Sequence, residues 1–320
     1  MKKFCSLLLI GILILSLFTG CSGTQELTDS DDDGKLLVYA SFYPMYDFAS
    51  KIGGDKIKAV NMVPDGTEPH NWEPTPSDIV GLEKASVFIY NGAGMEHWVG
   101  DILESIQNDK LLVVEASEGL TLLEDHSHDE HSENEDENHE DEEHDHGEFD
   151  PHVWLDPMNA KAEMEKIKDA FILADPDNSD YYEANYTKYA AEIEELDKEF
   201  SDTLSPLENK DIIVTHQAFG YLCHAYGLNQ VPVEGMAPDS EPDPARVAEI
   251  IEFAKEHQVN VIFFEELVNP KVAEVIADSI GAETDVLSPL EALSDEQREA
   301  GYDYFAVMRQ NLESLKSALE

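Results

Sequence analysis

Short apolar runs alternate with longer amphipathic stretches along the chain from residue 35 onwards. Eight runs are apolar almost throughout: KLLVYAS, KAVNMV, ASVFIYNG and LLVVEAS before residue 120, then DIIVTH, QVPVEG, VNVIFFEE and TDVLSP after residue 210. Such runs are typical of strands in parallel sheets whose two faces are both covered. The intervening stretches, such as PARVAEIIEFAKEHQ, have helical spacing. The pattern predicts an α/β protein with two lobes, each built on a four-stranded, mostly parallel sheet flanked by helices.

One amphipathic stretch lies between the two sets of strands and is longer than the others. Its apolar positions recur every three or four residues, at Tyr182, Tyr186, Tyr189, Ile193, Leu196 and Phe200. This spacing gives a helix one continuous apolar face. We therefore predict a linker helix over residues 178–208, between a first lobe at 35–177 and a second lobe at 209–320. An ordinary surface helix is the alternative.

The N-terminus has the parts of a secretory signal. Two lysines precede an apolar run that is too short and too one-sided for a membrane-spanning helix, and residues 1–20 are therefore predicted to be a signal peptide. The run ends in FTGC, which resembles a bacterial lipobox and so implies cleavage before Cys21 and a lipid on that cysteine. Secretion without a lipid is the alternative. Residues 21–34 are polar and acidic and are expected to form a flexible tether.

Charge and cysteine content narrow the possible functions. The formal net charge is -49, with 69 acidic and 20 basic residues. Because no basic face is available for phosphates, nucleic acid is excluded as a partner, and cations are more natural ligands. Once Cys5 leaves with the signal and Cys21 carries lipid, Cys223 is the remaining thiol. Neither an intramolecular disulfide nor a thiolate metal site is then expected.

Three of the twelve histidines stand beyond the ends of predicted strands. His70 follows KAVNMV after a turn rich in Gly and Pro, His152 comes after the fourth strand and an acidic run, and His216 closes DIIVTH. Ligands of open α/β sheets bind beyond the carboxyl ends of the strands. These imidazoles could therefore converge in a cleft between the lobes, and such a nitrogen-rich site suits Zn²⁺. We interpret His97, His224 and His257 as structural, and we expect His224, which lies in an apolar helical stretch, to be packed or partly buried.

Several motifs give the chain a family resemblance. GTEPHNWEPTPSD, DPHVWLDP, IVTHQAFGYL and GMAPDSEPDPARVAEIIEFAKEHQVNVIFFEE resemble the metal-binding lipoproteins of bacterial zinc/manganese ABC importers, the cluster A-I type of substrate-binding protein. The resemblance runs from residue 37 to the C-terminus. It implies two α/β lobes joined by one rigid helix. It also implies a monomer, anchored to the membrane by its lipid, that captures a metal and passes it to an ABC permease.

The resemblance also implies a ligand set. His70, His152 and His216 match the three family histidines, and an imidazole at the third position favours zinc over manganese, since manganese-type members place a carboxylate there. Some members take the fourth ligand from an Asp in an LDPL turn, where this chain has Ser288 in LSPLEAL. We predict Glu291 as the fourth ligand, with Asp285 and water as alternatives.

The remaining six histidines lie in an acidic run at residues 124–148: His126, His128, His131, His139, His144 and His146. This run has almost no apolar side chains and strong like charge, so we expect disorder. Zinc-type members of the family often carry such a loop. We interpret it as a low-affinity collector or sensor of zinc beside the tight site. A solubilising loop without any role in metal binding is the alternative.

The functional prediction is a high-affinity extracytoplasmic zinc-binding protein that delivers Zn²⁺ to an ABC importer. A manganese-binding importer component, a zinc hydrolase and a surface adhesin lipoprotein are the alternatives. The HExxH signature of zinc hydrolases is absent. The similar stretch HEDEEH has one residue too many between its first Glu and its second His. No repeat array or separate adhesive site is visible. We expect zinc affinity to fall below about pH 6 as histidines protonate, and the stiff linker helix to permit only a small closure.

Overall fold

The computed structural model describes residues 34–124, 149–236 and 243–320. Among these residues, no helix has both the length and the apolar character needed to cross a membrane. The predicted signal peptide, Cys21 and the six histidines of the acidic run lie outside the described residues. Residues Lys35–Glu320 belong to one compact unit.

In the part of the chain that the structure describes, eight parallel strands form two sheets of the same design. The strands are β1 Leu36–Ala40, β2 Ile57–Asn61, β3 Val87–Tyr90 and β4 Leu112–Glu115 in the first lobe, and β5 Asp211–Val214, β6 Asn229–Pro232, β7 Val261–Phe264 and β8 Glu283–Val286 in the second. Their orders are β2-β1-β3-β4 and β6-β5-β7-β8, and every pairing is parallel. The two-lobed α/β prediction is confirmed. In each sheet the chain changes its winding direction beside the first strand, which opens a crevice at the carboxyl ends.

The central strands are apolar throughout because both faces of each sheet are covered. Val87 and Ile89 of β3 face the largest hydrophobic core, whereas Phe88 between them faces a smaller core on the other side of the sheet. In β5, Ile213 faces away from the large core into a third cluster. This alternation follows from the two-residue period of a strand.

The helices cover these faces and connect the strands. Those within the described residues are α1 Tyr43–Gly53, α2 Pro76–Leu82, α3 Val99–Ser105, α4 Pro157–Ala174, α5 Ser179–Leu204, α6 Gly220–Tyr226, α7 Pro244–Glu256, α8 Lys271–Ile280, α9 Asp295–Glu299 and α10 Tyr304–Leu319. Asp156, Asp243 and Asp303 precede α4, α7 and α10, and their carboxylates accept hydrogen bonds from backbone N–H groups of the first turn. Such caps fix where each helix begins.

The long helix α5 joins the two lobes, as predicted. At 1.5 Å per residue its 26 residues span about 39 Å. Its buried face includes Tyr182, Ile193, Leu196 and Phe200, while Tyr186 and Tyr189 are half-buried. The helix ends at Leu204 rather than at residue 208, because Pro206 has no N–H to continue the helical hydrogen bonds.

The lobes share one hydrophobic core. The largest core cluster combines side chains from β1 and β3 with others from β5, α5 and α10, including Val38, Trp154, Phe200, Val214 and Tyr304. Each lobe adds only a smaller cluster of its own. The lobes are therefore packed against the same side chains, and their relative position is fixed by burial as well as by the covalent connection.

Phe200 tests the contribution of the linker helix to stability. Its ring has no exposed surface and stacks on Tyr226 of α6 with a centroid distance of 5.0 Å. We expect Phe200→Ala to lower the free energy of unfolding by about 3–5 kcal/mol, through lost burial and the cavity left behind. Urea unfolding of the purified protein measures this. Leu173→Ala, at a side chain that is 72% exposed, is the control, with an expected change within about 0.5 kcal/mol. Equal effects of the two changes would contradict the packing described.

Candidate metal centre

His216 lies directly beyond the carboxyl end of β5, where the second sheet changes winding direction. Its Nδ1 is 2.7 Å from Oε1 of Glu265, which follows the neighbouring strand β7. Its Nε2 is 2.8 Å from the carbonyl oxygen of Met236. Both partners are acceptors, so both ring nitrogens donate, as in a protonated imidazole. His216 and Glu265 are almost fully buried.

His70 lies in the turn between β2 and α2, on the first lobe. Its backbone N–H donates to Oε1 of Glu68 at 3.0 Å, and a second bond reaches the other carboxylate oxygen of Glu68 from the N–H of Asn71. Two consecutive N–H groups on one carboxylate define a tight turn. The side chain of His70 is 12% exposed, so it forms the open side of the site.

His152 is oriented by residues that flank the acidic insertion. The two ends of that insertion meet, since Glu124 and Phe149 form an antiparallel bridge. Asp150 follows, and its Oδ1 accepts from both the backbone N–H and the Nδ1 of His152, at 2.9 and 2.8 Å. His152 has no exposed surface. The ring is thereby oriented with Nε2 towards the second lobe.

Helix α6 of the second lobe packs against these flanking residues. The hydroxyl of Tyr221 donates to the backbone oxygen of Asp150 at 3.0 Å and accepts from the N–H of Leu123 at 3.0 Å. A Cβ on Gly220 would lie 2.3 Å from Oδ2 of Asp150. Glycine is therefore required here for the close approach that keeps Asp150 against His152.

Glu291 is presented by a constrained turn after β8. Leu290 before it has a φ of 62°, a left-handed conformation that is uncommon for leucine, and its side chain is fully buried. Asn311 of α10 fixes the turn, since its side chain accepts from the N–H of Ser288 at 2.9 Å and donates to the carbonyl of Ser288 at 2.7 Å. The strained backbone aims the carboxylate of Glu291 across the crevice.

These four residues converge. The potential ligand atoms of His70, His152, His216 and Glu291 all lie within 4.8 Å of one another. Oε1 of Glu291 is 3.2 Å from Nε2 of His70 and 3.1 Å from Nε2 of His152. The three imidazole centroids lie 5.1 to 5.4 Å apart. Three nitrogens and one oxygen from both lobes thus surround one buried point.

The titratable groups of the site strongly shift one another's pKa values. Burial alone would lower the pKa of His216, but the charge and hydrogen bond of Glu265 outweigh it and raise that pKa to about 10. Burial opposes the same change at His152, whose pKa is nevertheless raised by Asp150 and Glu291. The imidazoles in turn hold the pKa of Glu291 well below its usual range, against the effect of burial. The site therefore binds protons tightly when nothing else neutralises its carboxylates.

Other residues considered from the sequence lie elsewhere. Asp285 is in β8, where its Oδ1 accepts from the N–H of Val286 at 2.8 Å, and it does not belong to the group. His97 and His257 are both exposed, and they pair with Glu73 and Asp211, respectively. The expectation that His224 is packed was wrong, because it lies on the exposed side of α6.

Asp150 and Glu265, the carboxylates that orient His152 and His216, were not predicted from the sequence. A signal for each was present. Asp150 stands two positions before His152 in DPH, and Glu265 is the first of the two glutamates that end VNVIFFEE, a strand adjacent to the one that leads to His216. Acids in such positions commonly fix the tautomer of a ligating histidine.

Comparisons with known proteins place this geometry in a family. Residues 38–318 match the family model described as zinc-uptake complex component A, periplasmic. The high-affinity zinc uptake system protein ZnuA of Bacillus subtilis is 43% identical over 319 residues, covering 99% of this chain and 98% of that protein. The zinc-binding lipoprotein AdcA of Streptococcus pneumoniae R6 is 36% identical over 100% of this chain, which spans only 62% of AdcA.

A solved structure shares the fold. The crystal structure of the Zn(II)-bound ZnuA-like domain of Streptococcus pneumoniae AdcA superposes with a TM-score of 0.76 at 34% sequence identity, over 89% of this chain and 99% of that domain. Family model, relative and structure agree over nearly the whole of the described fold. The chain belongs to the ZnuA family of metal-binding components of zinc-uptake systems.

Proposed function

We propose that this chain captures Zn²⁺ between its lobes and delivers it to an ABC importer, with His70, His152, His216 and Glu291 as the ligands. The observation that carries the proposal is the convergence of three imidazoles and one carboxylate, drawn from both lobes, at one buried point. Zinc is the cargo of this site and is passed on to the importer.

The donor set and its spacing favour zinc. In a tetrahedron with bonds of about 2.0–2.1 Å, neighbouring ligand atoms stand about 3.3 Å apart. Oε1 of Glu291 already lies 3.1 and 3.2 Å from two of the imidazole nitrogens. Three nitrogens suit Zn²⁺ better than Mn²⁺, which prefers a set richer in oxygen. The proposal therefore favours a zinc carrier over a manganese carrier.

A hydrolase is disfavoured by the same four donors. Catalytic zinc sites keep one coordination position open for water or substrate. Here Glu291 stands where that open position would be, and its turn is fixed by Asn311 and by the buried Leu290. A closed four-ligand site holds a metal instead of activating water. Capture and release are thus the chemistry that the geometry supports.

Metal binding requires an exchange for protons. Nδ1 of His216 is held by Glu265, so Nε2 is the nitrogen left for zinc, and it must first leave the carbonyl of Met236. His216 then loses its Nε2 proton as zinc arrives. Glu265 and Asp150 remain in place behind their histidines and keep the rings oriented. Only small movements are needed, in keeping with a rigid linker helix.

The remaining parts of the proposal concern location and partners. A lipid on Cys21 would hold the protein at the outer face of the membrane, with residues 21–34 as the tether. As a monomer it would present its loaded cleft to the ABC permease. The six histidines of residues 124–148 would act as weak, exchangeable metal sites near the cleft. The residues that flank them, Glu124 and Phe149, pair with each other close to His152 in the chain.

Removal of one ligand tests the site. We expect His216→Ala to weaken zinc binding by at least about a hundredfold, more than the loss of an outer-shell partner usually costs. A competition titration against a coloured zinc chelator measures the affinity. His224→Ala, at an exposed histidine on α6, is the matched control and should bind as the original protein does. Equal affinity of both variants would exclude His216 as a ligand.

Proton release tests the exchange. Because the pKa of His216 is raised to about 10, its proton is bound throughout the neutral range, and zinc must displace it. We expect at least about one proton per zinc at pH 7.5, and an affinity that continues to rise with pH above neutrality. Calorimetry in buffers of different ionisation enthalpy counts the protons.

Glu265→Gln is the control for that measurement. Without the carboxylate, the pKa of His216 falls towards its usual value, so fewer protons should be released at the same pH. Zinc binding without proton release in the unmodified protein would contradict the proposed exchange.

Deletion of residues 125–148 tests the acidic run. Glu124 and Phe149 already pair, so a short glycine linker can replace the run. We expect one tight zinc event to remain and only weak events to disappear, as followed by calorimetry. A variant with the six histidines changed to Asn separates imidazole binding from charge. If the tight event disappears with the run, the interlobe residues are not the primary site.

A further inference from the structure

Two glutamates follow strand β7, and both contact parts of the second lobe that carry proposed ligands. Glu265 accepts from the ring of His216, as described above. Glu266, the next residue, accepts through its Oε1 from the hydroxyl of Ser288 at 2.7 Å. Ser288 stands three positions before Glu291. The second glutamate is therefore in contact with the turn that presents the carboxylate of the metal centre.

Every polar group of Ser288 takes part in a hydrogen bond. Asn311 binds its N–H and its carbonyl. Its hydroxyl donates to Glu266 and accepts from the N–H of Leu290 at 3.2 Å. A hydroxyl has a single hydrogen, so donation to Glu266 leaves an oxygen lone pair for Leu290. Ser288 is 2% exposed, and in such a buried setting water does not compete for these bonds.

The bond to Leu290 acts on the strained position of the turn. Pro289 has no N–H, so the N–H of Leu290 is the one backbone donor between Ser288 and Glu291. Leu290 has a φ of 62°, which is unfavourable for a residue with a Cβ. A serine hydroxyl that accepts from the N–H two residues later stabilises a turn. The direction of the chain at Leu290 then decides where the side chain of Glu291 begins.

Glu266 is itself held in place by helix α9. The side-chain amide of Gln297 donates to the same Oε1 at 3.0 Å, and its oxygen accepts from the N–H of Ser294 at 3.0 Å. This second bond belongs to the capping box that begins α9. Glu266 is not one of the converging metal-ligand residues. Its contacts connect the end of β7, the start of α9 and the ligand turn.

We propose that Ser288 and Glu266 are positioning residues for Glu291. The carboxylate of Glu266 orients the hydroxyl of Ser288, and that hydroxyl keeps Leu290 in the left-handed conformation that places Glu291 beside the imidazoles. The role in zinc binding rests on the proposed function, in which Glu291 is a ligand. The two adjacent glutamates after β7 then serve the same centre, since Glu265 orients His216.

Removal of the hydroxyl tests the role of Ser288. We expect Ser288→Ala to weaken zinc binding about 10- to 100-fold, as the loss of a residue that orients a ligand commonly does. Ser288→Thr keeps a hydroxyl and should retain most of the affinity. Ser279→Ala, which removes an exposed hydroxyl from α8, is the control. Competition against a coloured chelator measures the affinities, and equal binding by Ser288→Ala and the original protein would overturn the proposal.

A double-mutant cycle tests whether Glu266 acts through Ser288. Glu266→Ala should weaken zinc binding about tenfold, whereas Glu266→Gln keeps an oxygen acceptor and should retain most of the affinity. The variant with both residues changed to Ala should bind zinc as Ser288→Ala does, because one hydrogen bond is lost in each case. Glu274→Ala, at an exposed glutamate of α8, is the control. Additive losses would overturn the role of Glu266.

Cobalt spectra separate positioning of the ligand from a general loss of stability. The visible absorption of bound Co²⁺ depends on the number and geometry of its ligands. At saturating Co²⁺ we expect Ser288→Ala to change the absorption bands, and Ser288→Thr to leave them as in the original protein. Identical bands in Ser288→Ala and the original protein would overturn the proposal. Glu266→Ala replaces Ser288→Ala in this comparison if the latter does not fold, as judged by circular dichroism.

Crystals of the metal-free protein test the turn without reference to zinc. Oε1 of Glu291 is 3.1 Å from Nε2 of His152, and we expect Ser288→Ala to lose this contact as Leu290 leaves the left-handed region. An unchanged turn in Ser288→Ala would overturn the positioning role. Absence of tight zinc binding by the original protein would instead contradict the proposed function, and the crystals would still decide whether Ser288 positions Glu291.

Discussion

A buried hydrogen bond between the indole of Trp154 and the turn after β8 holds the metal centre together. Nε1 of Trp154 donates to the carbonyl of Pro289 at 2.8 Å, and the carbonyl of Trp154 accepts from the hydroxyl of Tyr304 at 2.8 Å. Trp154 stands two positions after His152, and Pro289 two positions before Glu291. One ring thus ties a ligand loop of each lobe to the shared core. In a buried setting such bonds have no water to compete with them.

The hydrogen bonds of Trp154 explain how a site made from two lobes can be preorganised before zinc binds. The shared core fixes the relative position of the lobes, the bonds of Trp154 fix the two loops, and Asp150 and Glu265 fix the orientation of the imidazole rings. Ordering of ligands then costs little when zinc binds, which favours high affinity. Electrostatic interactions oppose zinc binding, because the carboxylates that orient the histidines also stabilise their protonated forms. Under the proposed function, affinity and release both depend on this competition between Zn²⁺ and H⁺.

Much of the fold could be predicted from the chain because its strands are nearly continuous apolar runs. Val87–Tyr90 and Val261–Phe264 are runs typical of parallel sheets whose two faces are covered. The long helix was predicted from one apolar face, and only its end was misplaced. Three of the four converging residues follow strand ends, where the topology gathers them. The resemblance to metal-binding lipoproteins supplied the rest of that set.

Other features have no local signal. Sequence spacing could not show that Glu291, and not Asp285, lies beside the three histidines, because its position depends on the left-handed backbone at Leu290 and on Asn311, which is remote along the chain. His224 was misjudged since the apolar residues around it belong to the opposite face of α6.

Anomalous diffraction at the zinc absorption edge, from crystals of the zinc-loaded protein, locates the bound metal. The proposed ligand set predicts one strong peak about 2.0–2.2 Å from Nε2 of His70, His152 and His216 and from a carboxylate oxygen of Glu291. A peak bound by Asp285 or by water in place of Glu291, or a strong peak held only by residues 125–148, would contradict it.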